Sequence, residues 1–568
     1  MKLSDGWGAD AGRPAGYRAR VFEERERLRA AFADLEGNQR RVLEDLVAFN
    51  AGTGFGAAHG LARVRTLADL RSAVPIGDYA AHEPWIERAA AGERNVLTAD
   101  QPEVFFTSSG STGAHKKIPV TPRFMRTTFF PFYYAAWAPL LEQFPDVMDR
   151  PDAALNLKHD PLSAPPTTAS GQPHVGASQV DLGTRFGEPL SAEPGAFAPW
   201  STLPVPVDPA DHLERAYVRL RLAVEHDVRL VIGINPAMVA ALPYQLRLWW
   251  DRIVKEVRDG TVGGLPHGSP DPGRAAELET LAERFGAVRP ALVWPRMRAL
   301  FCWTTGMGSL YLPRLREEYG VAVSALPAPV AASEGPTGVP LDRHRSAGSL
   351  VATASVYEFI DADEDVTPDA RTLEPHELES GRDYHVIFSH VGGLYRYAVG
   401  DVVHVVDSVG GVPRVEYAGR GVRSDAAGER LRDAQVIRAL LDATDSGGLE
   451  AYNASCRVES APGAAPAYRF ALAPTTPWTA EETGRFTDAL DRALCVHSGD
   501  YRRARADGRL GAPSTLLLDA DAFHRDWQQR VAAGVRPTQV KDRLFRQDAA
   551  LWRSLTGEES TATTKEHA

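Results

Sequence analysis

Cysteine is scarce in this chain. Cys302, Cys456 and Cys495 are the three among 568 residues, and no two stand close enough to form a CxxC pair. That argues against a disulfide framework or a cysteine zinc site, and a reducing, cytoplasmic setting is expected. No apolar run reaches the ~18 residues that a membrane span needs. The opening MKLSDGWGADAG has no apolar signal core. A basic excess is missing too: 63 Lys and Arg stand against 74 Asp and Glu, a formal net charge of −11. An acidic chain without long basic runs argues against nucleic-acid and anionic-membrane partners, so any nucleotide must be met by a local site. The remainder, 44% hydrophobic and 24% charged, is ordinary for a globular protein. The length allows about two to four domains.

The stretch Phe105 to Pro119, FFTSSGSTGAHKKIP, organises the rest. Val104 to Phe106 is a short apolar run suited to a buried strand. Thr107, Ser108, Ser109, Gly110, Ser111, Thr112 and Gly113 follow, then Lys116 and Lys117. Glycines let successive main-chain N–H groups converge on an anion, hydroxyls add donors, and a lysine supplies a compact charge for phosphate. A Walker loop is excluded, because His115 stands where its second glycine belongs and Ile118 follows Lys117. A kinase glycine loop fails at Thr112.

Along the chain, residues 17 to 50 read as amphipathic helix ended by Gly52, Gly54 and Gly56. Phe124 to Leu141 is rich in aromatic residues. It reads first as core helix, and second as the wall of an apolar pocket. Helix patterns at 212–226 and 238–255 flank a buried strand at 228–234, and strands cluster from 349 to 417 without long helices between them. Gly419-Arg420-Gly421 reads as a boundary. Beyond it lie helices at 429–441 and 480–494 and strands at 456–458, 468–472 and 516–518. The expected fold class is therefore α/β: a large N-terminal domain, 1–420, of α/β layers plus a β-rich subdomain, and a small mobile α+β domain, 421–568, hinged near 420–428.

Three further stretches complete a nucleotide site. PVAASEGPTG from Pro329 offers Ser333 and Glu334, a carboxylate suited to Mg²⁺ on a nucleotide. GGLYRYAVGDVVHVV from Gly392 sets Asp401 before a strand, where it could accept ribose hydroxyls. GRGVRSDAAGERL from Gly419 combines hinge-like glycines with Arg420.

In order and spacing these stretches resemble the adenylate-forming superfamily of acyl-CoA synthetases, peptide-synthetase adenylation domains and luciferases. Within it the chain is most similar to the acyl acid–amido synthetases, the auxin-responsive GH-three family of plants and its bacterial relatives. The likeness runs through NAGTGFGAAHG from Asn50, VPIGDY from Val74, TSSGSTGAHKKIP, VIGINPAM from Val231, WPRMR from Trp294, the SEG at Ser333, LYRYAVGD from Leu394, SDAAGERL from Ser424, HSGDYRRARADGRLG from His497 and RPTQVKD from Arg536. LYRYxVGD is the most specific of these. The resemblance implies that Ser108, Ser109, Gly110, Ser111, Thr112, Gly113 and Lys117 hold phosphate. It implies that Ser333 and Glu334 meet the α-phosphate and magnesium, and that Asp401 binds ribose. Arg420 would precede the hinge, and Lys541 would approach the reacting carboxylate. Where the family has an aromatic residue four before the glutamate, this chain has Val330. That leaves the adenine contact open between apolar backbone walls and another ring.

The implied reaction uses ATP and Mg²⁺ to convert a carboxylic acid to an acyl-AMP, which an amine, expected to be an amino acid, attacks to give an amide. An acyl-CoA ligase or carrier-thiol loader shares the first half-reaction, and a non-catalytic nucleotide-binding regulator is the alternative of another class. The aromatic segments and Trp303 point to an aryl or hydrophobic acid.

Overall fold

A computed structural model of the chain describes residues 12–109, 115–158, 162, 164–187 and 193–558. Its centre is a four-stranded parallel sheet, Ala154–Asn156, Leu230–Ile232, Ala299–Cys302 and Ser324–Pro327, side by side in chain order. These strands are short apolar runs with few polar side chains, as a sheet covered on both faces requires. Behind them, helices Pro236–Leu248 and Trp250–Asp259 build a core around Leu242, Leu246, Val257 and Trp294. The expected single helix over 238–255 is divided at Trp249, and a small hairpin, Thr261–Val262 with Leu265–Pro266, follows it.

The strands from 330 to 420 form one antiparallel sheet of seven. In spatial order they are Val330–Ala332, Gly335–Val339, Gly348–Leu350, Val412–Arg420, Leu394–Val409, Asp383–His390 and Val356–Asp361. Leu394–Val409 runs for 16 residues. Register shifts against both neighbours bend it, which is how a long strand serves two packing environments.

The N-terminal helical region is interrupted. Helix Gly12–Ala30 ends in a 3₁₀ turn, and the Asp34 side chain accepts the Gly37 N–H to cap Leu35–Asn50. The aromatic segment is also broken. Pro131 has no N–H to give, and Phe130 N–H reaches back to Met125 O in a turn of π-helix, Met125–Phe129. Phe124, Phe130, Phe132, Tyr134 and Trp137 are buried, as a core helix requires, while Phe129 and Tyr133 are half-buried.

The C-terminal part packs helices Asp433–Gly447 and Ala480–His497 on a sheet of Ala451–Glu459, Ala467–Pro474 and Ser514–Leu517. Leu440, Phe470, Phe486 and Leu490 are central to its core. Helix Ala522–Ala532 then leaves that unit and joins the core behind the parallel sheet through Trp527 and Val531. Among the described residues, no helix is long and apolar enough to cross a membrane.

Candidate active site

In open parallel sheets, ligands bind beyond the carboxyl ends of the strands. Here Trp303 follows Ala299–Cys302, Asn235 follows Leu230–Ile232, and Val330 to Glu334 follow Ser324–Pro327. Trp303 Nε1 donates to Pro329 O at 2.9 Å, which ties two of these ends together.

Glu334 sits in the turn between Val330–Ala332 and Gly335–Val339 and is 4% exposed. Its main-chain oxygen accepts from His390 Nε2 at 2.9 Å, and Tyr397 Oη lies 3.4 Å from Oε1. The Gly392 N–H donates to His390 Nδ1, so His390 is neutral with its proton on Nε2. Burial pushes that imidazole down to about 4, which keeps the contact intact at physiological pH. Burial is also the first cause of a raised carboxyl pKa at Glu334; Lys116 opposes it and Asp401 reinforces it.

Asp401 lies in Leu394–Val409 opposite Arg420, the last residue of Val412–Arg420. Arg420 Nε is 3.3 Å from Oδ1. Even so, Oδ1 is a buried oxygen without a hydrogen bond among the described residues. An acceptor left in that state costs free energy unless a ligand supplies the donor. Burial raises the Asp401 pKa, while Arg420, Lys541 and Lys116 hold it down.

Lys541 comes from the far end of the chain. Val540 is fully buried and its carbonyl accepts from Asn235 Nδ2 at 2.7 Å; Arg536 donates to Gln179 Oε1. The Lys541 ammonium is thereby set 5.1 Å from the Trp303 ring centroid. Crowding by the cleft walls lowers its pKa, with Asp401 opposing first. The residue remains open to solvent, which tempers that shift.

The two lysines of the opening motif part company. Val104–Ser109 and His115–Val120 form an antiparallel hairpin in which Thr107 faces Lys117 and Ser108 faces Lys116. Adjacent strand residues point to opposite faces. Lys117 Nζ is bound to both carboxylate oxygens of Glu87, at 2.6 and 2.8 Å, and its N–H donates to Tyr79 Oη at 3.0 Å. Lys116 sits over the Tyr79 ring at 5.4 Å and, of the two lysines, is the one that acts on Glu334 and Asp401. The structure therefore brings Glu334, Asp401, Arg420 and Lys541 together, adds Lys116 to them, and ties the Lys117 ammonium to Glu87. Gly110, Ser111, Thr112 and Gly113 lie outside the described residues. Ser108 and Ser109 end the first hairpin strand, and Ser333 precedes Glu334 in its turn.

The remaining motifs hold this centre in place. Tyr395 stacks on Phe55 with ring centroids 4.3 Å apart and bonds Leu97 O. Arg396 has φ of +42°, a strained position for a side chain with Cβ. It is fixed by a buried pair with Glu358, Nε–Oε1 2.9 Å, and by Val74 O at 2.9 Å. Asn50 Nδ2 donates to Val391 O at 3.1 Å, and Gly77 bridges to Tyr397. The segments from Asn50 and Val74 thus brace LYRY, and LYRY delivers Tyr397 to Glu334 and leads the strand to Asp401.

Three family models match in succession: the GH3 family N-terminal domain over residues 24–322, the central domain over 348–420 and the C-terminal domain over 435–549. The chain belongs to the GH3 family. A relative in Oryza sativa subsp. japonica, the probable indole-3-acetic acid-amido synthetase GH3.12, is 25% identical over 564 residues, covering 89% of this chain and 90% of its own. The indole-3-acetic acid-amido synthetase GH3.8 of Oryza sativa subsp. indica is 23% identical over 544 residues, covering 89% of this chain and 88% of its own. A solved GH3.15 acyl acid amido synthetase has the same fold, with TM-score 0.77 at 19% identity, covering 94% of this chain and 95% of that one.

Proposed function

We propose that this GH3 protein activates a carboxylic acid with ATP and transfers the acyl group to an amine, an amino acid being the expected acceptor, to form an amide. The names of the relatives, amido synthetases throughout, support the reaction class. The observation that carries the reading is the meeting of Glu334, Asp401, Arg420, Lys116 and Lys541 at the carboxyl edge of the parallel sheet.

In the first step an oxygen of the acid attacks the α-phosphorus of ATP, the bond to the β-phosphate oxygen breaks, and pyrophosphate leaves. We assign Asp401, whose Oδ1 accepts no hydrogen bond among the described residues, to the ribose hydroxyls. Lys116 meets the phosphates, and the Ser/Gly-rich segment 108–113 is assigned to supply main-chain donors, as the family resemblance implies. Arg420 is the first charge opposing the effect of burial on Asp401. Lys541 is poised beside Trp303 to draw negative charge away from the reacting carboxylate and phosphate. Glu334 fits a magnesium ion, a buried carboxylate in need of a cation; bound there on the triphosphate, magnesium would neutralise phosphate charge as a Lewis acid. In the second step the amine nitrogen attacks the acyl carbon, the bond to AMP breaks, and the amine loses a proton. Closure of the C-terminal part over the cleft keeps water from the mixed anhydride. We place the hinge of that motion at residues 420–428.

ATP–pyrophosphate exchange across a panel of acids, followed by mass analysis with amino acids or with CoA, tests the proposal. An amide with no thioester is the expected outcome; a thioester with no amide, or no exchange at all, refutes it. Lys541→Ala should slow exchange by about 10²-fold or more while leaving ATP binding nearly intact. Unchanged exchange in that variant removes Lys541 from the centre.

A further inference from the structure

The carboxyl edge of the parallel sheet continues past Trp303. Two strands away, Lys158 follows Ala154–Asn156, and three polar side chains meet beside it. Tyr133 Oη donates to Glu193 Oε2. Lys158 Nζ donates to Tyr133 Oη at 2.5 Å and to the two Glu193 oxygens at 3.0 and 3.3 Å. Asn156 Nδ2 is 3.4 Å from Glu193 Oε1. The surroundings are aromatic: the ammonium lies 5.0 Å from the Tyr133 ring centroid and 5.9 Å from that of Trp137, and Trp137 stacks on Phe301 at 4.6 Å.

An ion pair set into an aromatic wall is costly to desolvate, and an apolar replacement would pack as well. A ligand that uses the pair gives it a purpose. Lys158 and Glu193 side chains are each 13% exposed, enough to reach a bound molecule. The side chains that stand between them and the adenylating centre are apolar. Half-buried Phe129 stacks on Tyr133 at 5.5 Å and 14°, and half-buried Ile234 and Trp303 occupy the next two strand ends. Two strand spacings give a reach of about 10 Å from Trp303 to Lys158, which an aromatic ring on a short chain spans.

Charge decides the chemistry at the far end. Lys158 and Glu193 cancel, and burial pushes the Tyr133 phenol up so that it stays neutral. A second carboxylate would unbalance the cluster, whereas a hydroxyl can donate to Glu193 and accept from Lys158 in place of its longest contact, the one to Glu193 Oε1 at 3.3 Å. We propose that the acid taken by this site is an aryl carboxylic acid with a hydroxyl, or another neutral hydrogen-bonding group, at the end remote from its carboxylate, and that Lys158, Tyr133 and Glu193 read that group. This rests on the adenylation reading above.

The test is ATP–pyrophosphate exchange with 3-phenylpropanoic acid, its 4-hydroxy derivative and its 4-carboxy derivative. The hydroxylated acid is expected to have a kcat/KM at least about tenfold above the unsubstituted one, chiefly through KM, with the dicarboxylate poorest. Lys158→Met and Tyr133→Phe should each bring that ratio towards one. Tyr133→Phe keeps the ring, so it carries the test if Lys158→Met does not fold. A ratio near one in the unaltered protein, preference for the dicarboxylate, or a ratio untouched in both variants overturns this inference alone. No exchange with any acid overturns the adenylation reading as well.

Discussion

Lys116→Met and Lys117→Met, made separately, ask which lysine of the opening motif touches ATP. Methionine keeps the unbranched stem and removes the charge. Lys117 is held by Glu87 in a pair whose side chains are 27% and 47% exposed, and such pairs contribute about 0–1 kcal/mol. Its loss should change kcat/KM for ATP by less than about fivefold. Lys116 borders Glu334 and Asp401, where an ammonium and a phosphate oxygen about 4 Å apart attract by about 4 kcal/mol at an effective dielectric constant near 20. Desolvation takes back part of that, and a net 1.5–3 kcal/mol, the range for hydrogen bonds to charged groups, lowers kcat/KM by roughly 10- to 150-fold. A second readout follows from charge. Lys116 is the first cation holding down the raised Glu334 pKa. Without it that pKa climbs further, and the acid limb of the pH–rate profile should move to higher pH in Lys116→Met only. Exchange kinetics at saturating acid with ATP varied, from pH 5 to 9, measure both effects. A larger defect in Lys117→Met, or an acid limb that stays in place in Lys116→Met, refutes the assignment.

Asp401→Ala should raise the ATP KM by about tenfold, the loss of one or two hydrogen bonds to the ribose, with kcat less affected; normal ATP kinetics would remove Asp401 from the site. Arg396→Ala leaves Glu358 with Arg71 and Thr372 alone, and denaturant titration should show a loss of about 3 kcal/mol or more. A change below about 0.5 kcal/mol would mean the pair does not anchor the LYRY strand. Asp542 is pushed by burial from 3.8 to about 6, against the pull of Arg546. A carboxyl with a raised folded-state pKa stabilises most below its unfolded value, and that stability is lost as pH rises through the folded value. The interval is worth about 3 kcal/mol at most. The stability drop between pH 4 and pH 7 should therefore be smaller in Asp542→Asn than in the unaltered protein; an equal drop in both would refute it.

That Glu334 and Asp401 belong to one site was expected from the family resemblance of two short glycine-flanked strings, although Asp401 lies within the long strand Leu394–Val409 and not at its end. Such strings have few ways to fold. The choice between Lys116 and Lys117 was not legible in the sequence. It depends on the face that each residue of His115–Val120 presents, and the apolar residues there do not fix the register without the partner strand. LYRY illustrates a different limit. Its spelling is distinctive, yet its work lies in Phe55, Glu358 and Glu334, all distant in sequence from it. The long strand Leu394–Val409 and the helix around Pro131 depart from the local pattern at a bulge and at a missing N–H; nothing in the structure explains the division at Trp249. The Lys158–Tyr133–Glu193 cluster left no signal, because three residues from separate segments carry no spacing rule.

The route by which Lys541 reaches the cleft has an energetic consequence. Its neighbour Val540 and the side chains of Trp527 and Val531 are at most 4% exposed, in the core behind the parallel sheet. Asn235 and Gln245 add hydrogen bonds to Val540 O and Gln528. A swivel of the C-terminal part that withdrew Lys541 would uncover those three side chains, at about 1.5–3 kcal/mol each. Without a compensating contact on the other side, the arrangement seen here, with Lys541 beside Trp303, is therefore the resting one. If Lys541 and Lys116 meet the triphosphate as proposed, loss of pyrophosphate would remove an anion that draws them together, and departure of that product would be the event best suited to release the segment carrying Lys541 and admit the amine.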